Sequence, residues 1–182
     1  MDSSRARSLP NEVRSAIRDL FEPAGLVASG AVCETESVEY SACRLELSGR
    51  HVAFRNARTT PTKIGLFVTL WKRSSTNRQI APIDSKDGVD FVLVHVDQEI
   101  HRGLFVFDRS VLSDNGVTSI DGVGGKRAFR VYPPWVSPVA KQAIRTQRWQ
   151  EAYFLPISPD GTCEAPRLRT LFGVAASNES LG

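Results

Sequence analysis

The sequence predicts a single α+β domain: a mostly antiparallel sheet of about five or six strands with helices flanking it toward the N- and C-termini. Three observations carry this expectation. Helical apolar spacing is clear only near the two ends, opening at Leu9 and again after Ser137. Between them, short apolar runs such as Ile64–Leu70, Phe91–Val96 and Leu104–Phe107 are separated by turn residues. The chain, 182 residues and 41% hydrophobic, is long enough for one domain with a full core and shows no internal repeat. Residues 1–8 read as a frayed tail, 9–172 as the domain, and 173–182 as a flexible tail.

Taken in order, Ser8-Leu9-Pro10 opens a helix whose stripe is Val13, Ile17, Leu20 and Phe21, and Glu22-Pro23-Ala24-Gly25 ends it. The acidic stretch 29–40 is ambiguous and admits a second helix. Leu45 and Leu47, then Val52 and Phe54, alternate with polar neighbours on either side of a Ser48-Gly49 turn. Ile64–Leu70 has no polar face, which predicts a central strand buried on both sides, with Trp71 in the core. Ser74–Gly88 is rich in turn residues and reads as a linker. Phe91–Val96 and Leu104–Phe107 form a predicted hairpin across Asp97-Gln98-Glu99. Ser110–Asn115 reads as a short helix stopped by Gly116, and Arg127–Tyr132 as a strand ended by Pro133-Pro134. Ser137-Pro138 then predicts a helix running to about Phe154, followed by a tail with one apolar patch at Leu168, Leu171 and Phe172.

Charge is sorted along this framework. Arg50–Ile83 holds seven Lys or Arg and no acid, and Gly122–Gln150 holds six more, again with none. Those windows take 13 of 23 basic residues, so the rest of the chain carries 10 basic against 20 acidic residues although the whole sums to +3. Such sorting points to an anionic partner, most simply a phosphate backbone. No apolar run reaches the roughly 18–20 residues of a membrane span, and nothing hydrophobic follows Met1–Arg7 to make a secretory signal. Cys33, Cys43 and Cys163 are odd in number and lack C-x-x-C spacing, which argues against a disulfide framework or zinc site and fits a cytoplasmic protein with reduced, partly buried thiols.

Several segments are similar to the bacterial MepB-like family. They are Phe54–Arg73 (FRNARTTPTKIGLFVTLWKR), Ile80-Ala81-Pro82, Gly103–Phe107 (GLFVF), Gly125–Trp135 (GKRAFRVYPPW) and Thr146–Gln150 (TQRWQ), covering roughly residues 50–155. The resemblance implies a compact bacterial cytoplasmic domain and brings no settled activity or catalytic residues. Where the family usually carries Phe-Pro-Lys after its aromatic strand, this chain has Phe107-Asp108-Arg109, so a role for that Lys does not carry over, although Arg109 keeps a positive charge nearby.

The function expected from the residues is therefore nucleic-acid binding, with DNA the first choice. The segment with Arg55, Arg58, Thr60, Thr62 and Lys63 offers cations and hydroxyls on a turn, groups that phosphate oxygens accept from. Gly124-Gly125-Lys126-Arg127, with Arg130 beyond, offers a glycine loop beside cations but lacks the P-loop pattern G-x-x-x-x-G-K-[ST]. Lys141, Arg145 and Arg148 share one helical stripe, and Trp135 and Trp149 are the aromatics placed to stack on bases. Gln147 and Gln150 could read base edges or tie the helix to the sheet. The helix lacks the broad apolar band of a membrane-surface helix.

The alternative is a divalent-metal nuclease with carboxylates from 84–108, using Asp84 or Asp90, with Lys86 and His95 beside them; only that reading requires Mg²⁺, and otherwise no cofactor is expected. A further alternative is a regulatory, small-anion-binding module. No G-x-S-x-G elbow or Rossmann context is present, so no complete catalytic motif makes the chain an enzyme. Strandedness and oligomeric state are open at this level.

Overall fold

The computed structural model describes residues 8–174, so most of the tail expected over 1–8, and all but Gly173 and Val174 of the tail expected over 173–182, lie outside the described residues. In chain order, helix α1 (Asn11–Ala16) continues through a π-helical turn (Ile17–Phe21) into β1 (Ala28–Cys33). The hairpin β2 (Cys43–Leu47) and β3 (Arg50–Asn56) follows. A long excursion then carries β4 (Arg58–Thr59), β5 (Leu66–Thr69), β6 (Trp71–Arg73) and β7 (Ile80–Pro82). The chain returns as the hairpin β8 (Phe91–Gln98) and β9 (His101–Asp108), then α2 (Arg109–Asp114) and β10 (Ala128–Val131). It finishes with α3 (Lys141–Glu151), β11 (Phe154–Ile157) and α4 (Ala165–Leu171).

Six strands form one mixed sheet in the order β1-β2-β3-β8-β9-β11. All its pairs are antiparallel except β3–β8, which run parallel because the excursion from β4 to β7 carries the chain back to the same end. One face of this sheet buries Leu45, Phe54, Leu93, Leu104 and Leu155 against Val13, Leu20 and Phe21 of the N-terminal helix and Leu168 and Phe172 of the C-terminal one. The opposite face buries Val92, Val94, Phe105 and Phe107 beneath a second, three-stranded sheet, β10-β5-β4, and beneath α2. The molecule is thus layered, helices over sheet over a smaller sheet with helices, as α+β packing requires.

Several expectations change at this level. The strand buried on both faces is β8, with Phe91–Val96 all buried, and not the 64–70 run. β5 lies in the outer layer: Leu66, Val68 and Leu70 are buried while Phe67 is half-buried. A Tyr40 ring edge (6.1 Å) and the Arg130 guanidinium (5.7 Å) flank Phe67, so polar groups stand where a second apolar layer was expected. Trp71 is likewise half-buried and not core, with the Arg73 guanidinium 5.4 Å from its ring. Residues 29–40 hold most of an edge strand and a single 3₁₀ turn (Val38–Tyr40) in place of a second helix. The linker holds β7, paired with β6. Helix α3 starts at Lys141, with Ala140 at its N-cap, and ends at Glu151, so Phe154 belongs to β11, a strand that sequence periodicity hid. The apolar patch of the tail is α4.

Candidate nucleic-acid interface

Helix α3 is fastened to β10 by its amides. Gln150, 0% exposed, accepts from the Tyr132 N–H (2.8 Å) and donates to the Arg130 carbonyl (2.9 Å), pairing with the free edge of β10 as a further strand would. Gln147 donates to the carbonyls of Pro133 (3.1 Å) and Val136 (2.8 Å). Both amides therefore hold the helix to the sheet, the second of the two roles open to them. Between helix and strand lies a cleft of about 340 Å³, walled by Lys126, Arg130, Tyr132, Gln142, Thr146 and Trp149. At 100° per residue the cleft-facing side of α3 sits roughly 130° around the helix from the Lys141/Arg145/Arg148 stripe. Those three cations are exposed along the outer flank.

Arg130 joins the two basic segments. Its guanidinium donates to Thr60 Oγ1 (2.7 Å) and to the Gly65 carbonyl (3.2 Å), bracing the 60–65 turn against β10. Thr62 and Lys63 are exposed on that turn, and Arg58, also exposed, donates to the Glu39 carbonyl (2.7 Å). Arg127 and Lys126 are exposed at the start of β10. Among the described residues, none of Arg58, Lys63, Lys126, Arg127, Arg130, Lys141, Arg145 and Arg148 makes an ion pair.

Other cations of the first window are neutralised by folding. The sequence puts Arg55 on the binding surface, but it is 1% exposed, paired to Glu34 (2.8 Å) and bonded to the carbonyls of Phe54 (2.9 Å) and Thr69 (3.2 Å). It leaves the proposed surface, because β3 is covered on both faces. Burial pulls its pKa down from the ordinary arginine value, and Glu34 opposes that shift. Lys72 pairs with Asp87 (2.6 Å) and Arg73 with Glu36 (2.5 Å).

The glycine loop also has its anion already. The Asp84 carboxylate accepts from the Gly122 N–H (2.9 Å), the Ser119 hydroxyl (2.7 Å) and the Lys86 N–H (3.0 Å). These donors, Gly122 first, hold its pKa down at about 2. The Lys126 N–H is taken by the Val117 carbonyl (2.9 Å). The Gly122 and Lys126 amides are thus bonded within the protein, while the side chains of Lys126 and Arg127 stay exposed.

The carboxylates of the nuclease alternative do not converge. Asp90 accepts from the His51 N–H (2.9 Å) and pairs with Arg109 (2.7 Å) at the start of β8. His95, five residues and so about 16 Å along the same strand, hydrogen-bonds through Nδ1 to Asn56 Oδ1 (2.8 Å). Lys86 pairs with Asp121. No group of three or more His, Cys, Asp or Glu among the described residues is arranged to hold a metal ion.

Of the aromatics, Trp149 is half-buried, tilts against Phe107 (centroids 5.3 Å apart) and presents its remaining surface to the cleft. Trp135 is stacked on His101 (5.0 Å, 17°), with its indole N–H on Gln98 Oε1 (2.9 Å). Gln142 and Thr146 are the cleft residues that sequence reasoning missed; their signal was a shared helical face with Trp149 and Gln150. The departure at Asp108-Arg109 also has a local use: Asp108 caps α2 by accepting from the Val111 N–H (2.9 Å).

A mixed sheet backed by a small basic sheet-and-helix layer defines an α+β domain with one face rich in unpaired cations. The chain belongs to the MepB-like family, whose model matches residues 34–156. It is similar to a crystal structure of MepB, with 33% identity and a TM-score of 0.68 over 71% of this chain and 86% of that one. No curated protein matches it. No described helix is long and apolar enough to cross a membrane.

Proposed function

We propose that this protein binds nucleic acid, DNA first, along the layer formed by β4, β5, β10 and α3. The observation that carries the reading is a group of cations on one layer left without acidic partners. Folding gives Arg55, Lys72 and Arg73 acidic partners, while the eight cations from Arg58 to Arg148 on this layer keep none. A polyphosphate satisfies such a set by displacing condensed counterions, and Trp149 and Thr146 supply stacking and hydroxyl contacts at the cleft.

Fluorescence anisotropy with labelled duplex and single-stranded DNA, across a salt series with and without Mg²⁺, tests it. Binding should weaken steeply with salt, and the DNA should run intact on a gel. Arg145→Ala with Arg148→Ala should lower the log–log salt slope by about 2 if each cation meets one phosphate. An unchanged slope would remove α3 from the interface. A second reading, a small anionic metabolite, is favoured by the cleft itself, whose 340 Å³ falls in the range of small-molecule sites. Saturable binding of a mononucleotide or phosphate, with no affinity for polynucleotide, would establish that reading instead.

A further inference from the structure

We propose that Cys33 and Cys43 form a reversible intramolecular disulfide under peroxide. The two residues face each other directly across the antiparallel pair β1–β2, and their sulfurs are 3.7 Å apart. The neighbouring pair, Glu34 and Ala42, is the hydrogen-bonded one, with the Glu34 N–H on the Ala42 carbonyl (2.8 Å). Cys33 and Cys43 therefore occupy a non-hydrogen-bonded position, where Cα atoms lie about 4.5 Å apart and side chains approach most closely. That separation is inside the range disulfides span, so closing the sulfurs to about 2.05 Å asks for side-chain rotation and not for strand movement.

The two thiols differ in access. Cys33 is half-buried and lines a surface depression of about 410 Å³, open to a small oxidant. Cys43 is fully buried, and burial, with Cys33 beside it, pushes its thiol up to about 12. The order of steps follows. The Cys33 sulfur attacks one peroxide oxygen, the O–O bond breaks, and sulfenic acid and one water result. The Cys43 sulfur then attacks the Cys33 sulfur, the S–O bond breaks, and the departing hydroxide takes the Cys43 proton to leave as a second water. Two thiols lose two electrons and two protons, and one peroxide is reduced.

The ring so closed contains residues 34–42, the segment whose Glu34 and Glu36 carboxylates and Glu39 carbonyl hold Arg55, Arg73 and Arg58. Oxidation therefore fastens the acidic segment that neutralises the first basic window. Reduction opens that link and leaves the segment held by its ion pairs and hydrogen bonds alone, as in the structure with both thiols free.

The test treats the folded full-length chain with hydrogen peroxide, then counts thiols after denaturation and maps peptides by mass. The three thiols should fall to one, with a mass loss of about 2 Da and a Cys33–Cys43 linked peptide, all reversed by dithiothreitol. Cys163→Ser should give the same link with no thiol left, and Cys33→Ser should give no intramolecular link. Retention of all three thiols, over-oxidation of Cys33 without a link, a link to Cys163 or a link between two chains would each overturn the proposal.

Discussion

A guanidinium inside a protein needs a counter-ion and acceptors, and Arg55 has Glu34 and two carbonyls. Glu34 is shared: it also accepts from Arg44 at 2.8 Å. The two partners are therefore unequal. Glu34→Ala strands a buried charge and should cost about 3–5 kcal/mol, whereas Arg55→Met leaves Glu34 with Arg44 and should cost clearly less. Urea unfolding of the two variants checks the order, and a reversed order would mean that Arg55 is held by its carbonyls alone. His95 makes a second test at this scale. Its burial on β8 lowers its pKa from 6.5, the nearby Asp97 and Glu12 opposing that shift. The folded state thus favours the neutral ring. The stability this represents is complete above about pH 6.5 and is lost as pH falls from there through the lowered folded value. The urea midpoint should drop between pH 7.5 and 5.5, and His95→Gln should flatten that drop; an equal drop in the variant would assign it to other groups.

At the scale of elements, what the sequence disclosed were those whose signal is local. The β2–β3 turn lies at Ser48-Gly49, both at positive φ, and α2 is followed by Gly116 at φ 68°, a conformation glycine adopts without a Cβ penalty. The β8–β9 hairpin was legible from two apolar runs, although its turn narrows to Glu99-Ile100. What stayed hidden depends on partners far along the chain. β11 is only four residues, one of them Pro156, and becomes a strand because β9, far back along the chain, offers it an edge. β1 exposes Val32 and alternates poorly, since β2 supplies its pairing and a bulge breaks its register. The Ser137-Pro138 pair carries a good start signal, yet Pro133, Val136 and Gln147 bond there instead, delaying α3 to Lys141. Half of the candidate cleft, the Lys126–Arg130 side and the basic helix, could be read in advance. Its depth could not, because it depends on Gln150 seating α3 against β10.

Across the whole molecule, sequence windows of charge and surfaces of charge are different things. Glu34 and Glu36 lie outside the first basic window yet reach Arg55 and Arg73 through β1 and the turn that follows it, so the acid-free run is neutral in part once folded. The second window keeps its excess because α3 and β10 pair through amides and carbonyls, which carry no charge. A similar division applies to the core. The family match spans 34–156, and the segments on either side of it meet on one face of the main sheet. Val13, Leu20, Phe21 and Leu26 come from before it and Leu168 and Phe172 from after it, all 2% exposed or less. The Phe172 ring stacks on Phe91 at 4.4 Å, and Arg169 donates to the Ala24 carbonyl at 3.0 Å, so the two segments close on each other as well as on the sheet. Burying each such side chain contributes about 1.5–3 kcal/mol, and six of them rival the whole net stability of a domain, about 5–15 kcal/mol. Removing them would also expose Leu45, Phe54, Leu93 and Leu104 to water. A fragment limited to 34–156 should therefore lack cooperative thermal unfolding, bind a hydrophobic dye and lose near-ultraviolet dichroism, while the full chain melts in one transition. A fragment that melted cooperatively within a few degrees of the full chain would show that the smaller sheet and α3 hold the remaining β layers together by themselves, with β1 and the terminal helices dispensable.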